Sequence, residues 1–203
     1  MNYVAIKHKY QCNQPSDCNE HLPKLFELTK ECESVLALCG CGFKPYWTFT
    51  HGLLNNQSQN KTLYYNNEHQ VDLDEYNNVT KHLKLTKQFT NLFSLNVEVE
   101  SIDLLFIDSW HVYGCVKREL EKFAPKTNKY IVLHDTTVDE WDGETVRCNM
   151  DAIQQSQQTG IPVYEIKKGV WPAVQEFLNE NSNWTLKERF ENNNGLTILE
   201  KIA

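Results

Sequence analysis

The chain has 203 residues, a formal charge of −7, 40% hydrophobic and 23% charged residues, which suits one domain able to bury a sheet between helices. Its lysines and arginines are scattered rather than gathered into a stripe, which argues against nucleic acid or anionic membrane as the main partner. The N-terminus lacks an apolar core of signal-peptide length and no apolar run is long enough to span a membrane, so a cytoplasmic location is expected.

In chain order, Asp17 reads as the N-cap of a helix from Asn19 to Cys32, with Leu22, Leu25, Phe26 and Leu28 inward and Pro23 tolerated in the first turn. Ser34 to Cys39 is a continuous apolar run closed by Gly40-Cys41-Gly42, the pattern of a strand buried on both faces. A helix from Pro45 to Leu54 follows, then a strand from Lys61 to Tyr65, a polar helix from Asp72 toward Lys84, and a strand from Gln88 to Phe93. Ile102 to Ile107 is a buried strand that ends at Asp108. Val112 to Phe123 has helical periodicity stopped by Pro125, and Tyr130 to Leu133 is a buried strand that ends at His134-Asp135. Strand, helix, strand is a βαβ unit, whose crossover is right-handed. Thr136 to Arg147 reads as a polar loop, with helices from Met150 to Gln158 and from Gly169 to Asn179. Trp184 to Phe190 and Leu196 to Ile202, joined by an Asn/Gly turn, predict an antiparallel hairpin with Leu196, Ile198 and Ile202 on its buried face.

Ligands of an open parallel sheet bind outside the carboxyl ends of its strands. Three strand ends carry chemistry there: the glycine-rich turn after Cys39, Asp108 with the nearby His111 and Tyr113, and His134-Asp135. Small residues let a ligand approach the backbone, and a helix N-terminus favours negative charge. Asp108 and Asp135 follow apolar runs on strands joined by one crossover helix, so both are expected at one edge, close enough to share a cation or a water. Two carboxylates and an imidazole suit a divalent cation or a general base, and two unpaired carboxylates so placed should raise one pKa. As a crevice residue, Asp135 is expected to tolerate replacement by Asn with little effect on melting. Each residue alone reads better as a strand-end cap bonded to loop amides, and only together do they favour a site. Trp110, Trp141 and Trp171 are candidates for stacking on a planar ligand, Trp171 fitting core packing better.

Seven cysteines, an odd number without zinc spacing beyond Cys39-Gly40-Cys41, read as reduced thiols in or beside apolar runs, as at Cys32, Cys39, Cys115 and Cys148.

The run Asp103-Leu-Leu-Phe-Ile-Asp-Ser-Trp-His-Val-Tyr113, followed by Lys117-Arg-Glu-Leu120 and Tyr130-Ile-Val-Leu-His-Asp-Thr136, resembles class I S-adenosylmethionine-dependent methyltransferases. The group meant is that of proteins similar to cephalosporin hydroxylase and to metal-dependent sugar O-methyltransferases. The resemblance extends to Pro15-Ser-Asp-Cys-Asn-Glu-His-Leu-Pro23 and to Asn192-Asn-Asn-Gly-Leu-Thr-Ile-Leu199. It implies a Rossmann-like α/β sandwich with a seven-stranded sheet in the order 3-2-1-4-5-7-6, the seventh strand antiparallel. The whole chain, 1–203, would be one such domain, with 1–33 a helical segment covering the site. It implies S-adenosyl-L-methionine over the first two strand ends, near Ala37, Cys39, Gly40, Gly42, Asn66, Asp108 and His111. The acceptor would lie near Asp108, His134 and Asp135, as catalytic residues, with Asp108 and Asp135 holding Mg2+ or another divalent cation. The expected partners are a small-molecule acceptor, a sugar or nucleotide sugar, and a further copy of the chain as a homo-oligomer. Where the family has an acidic residue in strand one this chain reads Ala37-Leu38-Cys39, and where it has the ribose-binding carboxylate this chain has Asn66. Those departures motivate a rival expectation, a methyltransferase-like fold that serves as a non-catalytic binding or scaffolding subunit. Restoring the carboxylates, as Ala37→Glu with Asn66→Asp, should then tighten cofactor binding.

Overall fold

A computed structural model describes residues 2–40 and 45–202 of the chain. Its seven strands form one sheet in the order β3-β2-β1-β4-β5-β7-β6. They are β1 Ser34–Cys39, β2 Thr62–Asn67, β3 Thr86–Thr90, β4 Ile102–Asp108, β5 Thr127–His134, β6 Trp184–Phe190 and β7 Leu196–Lys201. β1 to β5 pair in parallel, and β7 runs antiparallel to both β5 and β6. This is the Rossmann-like sheet of the class I methyltransferase fold, as expected.

The central strands alternate between two apolar layers. Val35, Ala37, Phe106, Val132 and Ile198 face a core closed by the helices α1 Tyr3–Cys12, α2 Leu22–Lys30 and α3 Tyr46–Asn55. Leu36, Leu38, Leu105, Ile107, Ile131, Leu133 and Leu199 face the other side. That side is covered, after α4 Asp74–Thr80, by α5 Tyr113–Phe123 and, beyond the short α6 Glu144–Arg147, α7 Ala152–Thr159 and α8 Val163–Lys167, by α9 Trp171–Glu180. Each fully buried Leu or Ile contributes about 1.5–3 kcal/mol, so the register of these strands is firmly specified. That register does the positioning: Cys39 pairs with Asp108, and Ile107 pairs with Leu133. Asp108 and His134 therefore leave the sheet side by side. The chain winds outward from β1 in one direction to β2 and β3 and from β4 in the other, so the crevice between β1 and β4 is the topological switch point.

Several boundaries differ from expectation. The helix expected from Asn19 to Cys32 is a 3-10 turn, Asn19–His21, followed by α2. His21 is its N-cap rather than Asp17, while Pro23 does sit in the first turn. α4 is shorter than its polar pattern suggested, and β3 starts two residues earlier because pairing with β2, from Thr62 with Thr86 to Asn66 with Thr90, sets its register. α1 and α8 carried no legible signal: α1 buries only Val4 and His8, and α8 is five residues long with Ile166 buried. The loop expected from Thr136 to Arg147 ends in α6. In the hairpin Leu196 and Ile198 are fully buried, but Ile202 is exposed because it lies past the end of β7. Thr197 and Leu199 are also buried, since β7 is covered on both faces. Among the described cysteines none forms a disulfide. Cys32, Cys39 and Cys115 are buried, whereas Cys148 is exposed because it follows the surface helix α6. No helix among the described residues is long and apolar enough to cross a membrane.

Candidate functional site

At the ends of β4 and β5 the structure brings Asp108, His111, His134 and Asp135 together, each at most 6% exposed. His134 Nδ1 lies 3.0 Å from Asp108 Oδ1, and its Nε2 lies 3.1 Å from the backbone carbonyl of Asp17. Both partners can only accept, so both ring nitrogens donate and His134 is an imidazolium. Burial pulls its pKa down, but Asp108 and the Cys18 thiol outweigh that and hold it well above the usual value. In that state His134 has no lone pair to take a proton. His111 lies in the loop after β4, its Nε2 3.4 Å from Asp108 Oδ1 and its Nδ1 2.9 Å from Asp135 Oδ2. Burial opposes its charge, and the two carboxylates prevail, keeping it protonated.

The same pairing inverts the expectation for the carboxylates. Burial raises the pKa of Asp135, but the contact with His111 and then the charge of His134 pull it down to about 2. Asp108, fully enclosed, is likewise held below its ordinary value by His134 and His111 against the effect of burial. The two carboxylates are not an unpaired dyad, because two imidazoliums sit between them. Asp135 has φ 56°, in the left-handed region that Asp tolerates better than most residues.

Other groups complete this centre without a signal in the sequence. Asp139, fully buried, takes Arg147 through Nε at 2.6 Å and Nη2 at 2.9 Å. Glu144, at the start of α6, approaches His111 Nδ1 at 3.7 Å, and its backbone amide donates to the His111 carbonyl at 3.0 Å. The oxygen and nitrogen atoms of Asp108, His111 and Asp135 lie within 4.8 Å of one another, a spacing that could hold a metal ion. Although His111 lies close to its carboxylates, neither ring nitrogen is aligned for a hydrogen bond.

Beside this centre a cleft of about 510 Å³ opens at the β1/β4 switch point, lined by Gly40, Glu68, Phe93, Ser109, Trp110 and His111 among others. Gly40 follows β1, and a Cβ there would meet the Ser109 carbonyl oxygen at 2.9 Å, so only glycine lets these two strand ends approach. Beneath the loop, Ser109 Oγ donates to the wholly buried Glu119 at 2.5 Å, and burial raises that carboxyl to about 7. A groove of about 560 Å³ between α5 and α9, floored by Leu120, Ala173, Phe177 and Trp184, holds none of the expected site residues.

The residues expected around the cofactor separate clearly. Gly40 and His111 line the cleft. Ala37 and Cys39 are fully buried in the first core layer, and Ala37 stands two residues before the strand end, between Tyr65 and Phe106. Gly42 lies outside the described residues. Asn66 is fully buried inside β2, its Nδ2 donating to the Leu92 carbonyl at 2.9 Å and its Oδ1 accepting from Leu92 N at 3.0 Å and Thr90 Oγ1 at 2.9 Å. Its side chain holds the β3 loop rather than a ligand. β2 runs two residues beyond the expected end at Tyr65, and the carboxylate on the cleft is Glu68, whose pKa burial raises. Tyr113 turns away and donates to Glu176 at 2.5 Å. Trp110 lines the cleft, Trp141 is exposed, and Trp171 packs beneath the Arg189 guanidinium at 3.7 Å.

The sheet order and the strand-end crevice define the class I methyltransferase fold, and solved structures agree. A structural-genomics protein from Corynebacterium glutamicum matches with a TM-score of 0.61 and 13% identity over 100% of this chain and 91% of its own. An O-methyltransferase from Bacillus cereus in complex with SAH matches with a TM-score of 0.56 and 13% identity, covering 98% of this chain and 89% of its own. A methyltransferase from Podospora anserina with SAH bound matches at 0.54 and 10% identity, covering 98% and 88%. No family model and no curated protein matches the sequence.

Proposed function

We propose that this chain is an S-adenosylmethionine-dependent methyltransferase that methylates a hydroxyl group of a small molecule, a sugar or nucleotide sugar, with the help of a divalent cation. The observation that carries the reading is the junction of the 510 Å³ cleft with the buried acidic centre through His111, which belongs to both. Solved methyltransferases of the same fold, two of them with SAH bound, support it. Glu68 is the residue to hold the ribose hydroxyls, since a carboxylate accepts two such bonds at once. Phe93 and Trp110 offer apolar walls for a planar base. S-adenosylmethionine bound there supplies an electrophilic methyl group, and the protein's part is alignment.

Asp108, His111 and Asp135 fit a cation. The donors are two carboxylates and an imidazole within 4.8 Å, and His111 keeps two buried ring nitrogens that no aligned hydrogen bond satisfies. A cation would replace one proton of His111, the other ring nitrogen keeping its N–H, as counter-charge to the carboxylates. A hard ion such as Mg2+ completes its shell with water and acceptor oxygens and lowers the pKa of a coordinated hydroxyl. His134 fixes Asp108 by donating to it and leaves the proton to another base.

The rival reading, a scaffolding subunit with a degenerate cofactor site, rests on Ala37, Cys39 and Asn66. Glu68 on the cleft supplies the carboxylate that Asn66 lacks, which favours the enzyme. The test is thermal unfolding with S-adenosylmethionine and S-adenosylhomocysteine, with and without Mg2+ or Mn2+. A ligand at 100 times its Kd stabilises by about 2.7 kcal/mol, and absence of any shift with either nucleoside would overturn the proposal.

A further inference from the structure

The acidic centre is closed. Asp108, His111, His134 and Asp135 are almost wholly buried, and the cleft that reaches His111 is the one assigned above to the cofactor. If the cleft holds a cofactor, an acceptor must arrive from elsewhere, so this inference rests in part on the proposed function. The element over His134 is the segment between α1 and α2, residues 13–21.

That segment is held in an unusual way. Cys18 is its one fully buried apolar side chain, and 13–17 are exposed. Beside the ring contacts of the buried His21 with Phe190 and His134, its other ties are polar, most of them to the turn between β6 and β7. Asn193 donates from Nδ2 to the Ser16 carbonyl at 2.7 Å and accepts the Glu20 amide at 3.0 Å. Asn192 donates to the Glu20 carboxylate, and His21 Nε2 lies 3.0 Å from the Asn192 carbonyl. At the far end, His134 donates to the Asp17 carbonyl. The receiving turn is rigid: Asn193 and Asn194 have φ 50° and 68°, and the Asn194 carbonyl accepts the amides of Thr137 and Val138. A segment held mainly by polar bonds to a rigid turn, and flanked by helices packed into the core, can release without unfolding the rest.

We propose that residues 13–21 form a strap latched on Asn192 and Asn193, and that its release uncovers the acceptor's way to Asp108 and Asp135. Closed, the strap hides Cys18 with no exposed surface, its thiol pushed up by burial to about 11. Open, it exposes that thiol. Cys32, equally buried at the end of α2 with its thiol on the Leu28 carbonyl, is reached only when the fold opens.

The test is alkylation of the full-length protein by N-ethylmaleimide, read cysteine by cysteine by mass spectrometry, in the wild type and in Asn193→Gly. Glycine keeps the left-handed turn and removes both side-chain bonds of Asn193. Cys18 should react faster than Cys32 in the wild type. In the variant it should react faster again, on the order of tenfold or more, with Cys32 unchanged. If Cys18 reacts only at the rate of Cys32 in both proteins, there is no strap motion and the inference fails. If Cys18 is fast but indifferent to Asn193→Gly, the latch is misassigned and the inference fails at that point. No cofactor or acceptor enters the measurement, so its outcome is separate from that of the proposed function.

Discussion

The two halves of the crevice differ in how they are built. At the ends of β4 and β5 the polar residues follow directly on apolar strands, and their side chains converge within a few ångströms. At the ends of β1 and β2 the apolar or amide side chains of Cys39, Asn66 and Asn67 are buried, and the cleft is met by the residues just beyond the strands, Gly40 and Glu68. The first half is a charged core. The second is a wall of loop residues set by where the strands stop. Substitutions in the first half should therefore cost folding, and substitutions on the wall should cost only binding.

The largest effect expected is from Ala37→Glu with Asn66→Asp. Ala37 lies between two strands in the core, where an unpaired carboxylate is costly enough to prevent folding. Asp at 66 would turn a carboxylate on the Leu92 carbonyl that the amide now donates to. Expression and circular dichroism should show an unfolded or aggregated chain, and a folded variant with tighter binding would mean that Ala37 and Asn66 face a ligand rather than the core.

Asp135→Asn comes next, and the expectation of unchanged melting is reversed. Asn suits φ 56°, so the backbone is spared, but His111 and His134 lose a counter-charge in a buried setting. Breaking such a pair costs about 3–5 kcal/mol, or a fall in Tm of roughly 10 °C for a chain of this size. Calorimetry that finds Tm unchanged would mean that Asp135 is solvated and the centre is not a charged core.

How legible each half was follows from the same difference. Apolar runs ending in Asp108 and in His134-Asp135 mark strand ends unambiguously, because a buried parallel strand has nowhere to place a charge except at its edge. The sheet order followed from the resemblance alone, and the C-terminal hairpin from two β-rich runs joined by an Asn/Gly turn. Where β2 stops was not legible, since Tyr65-Asn-Asn67 reads as a turn until Thr90 and Leu92 are seen to satisfy Asn66. Asp139, Glu144 and Arg147 were hidden for another reason. They lie in a polar stretch with no periodicity and are set by contacts with His111 and with one another. The second partner of the His134 ring is the Asp17 carbonyl, a backbone atom 117 positions away that no side-chain pattern announces.

A milder effect separates the halves by pH. Asp135, lowered to about 2 from 3.8, contributes stability present above pH 4 and lost as the pH falls toward 2. His111 and His134, raised well above 6.5, contribute stability that is full below 6.5 and lost as the pH rises through their folded values. The centre should therefore stabilise most between pH 4 and 6.5. Urea midpoints measured from pH 4 to 9 should decline above 6.5, and Mn2+ should flatten that decline by taking the place of the proton that His111 loses. A midpoint that rises above pH 7 without metal would show that His111 is neutral.

The smallest change in stability belongs to the wall. Glu68 accepts one weak bond, from the Ser94 amide at 3.3 Å, which glutamine can keep. The central claim, that the cleft holding Glu68 is the cofactor's and opens onto the acidic centre, is tested most directly by calorimetric titration of S-adenosylhomocysteine into the wild type and Glu68→Gln. Binding to the wild type should be saturable and binding to the variant roughly tenfold weaker, from about 1–3 kcal/mol of lost ribose hydrogen bonding, at an unchanged Tm. Equal affinity in both proteins, or no binding in either, would contradict it.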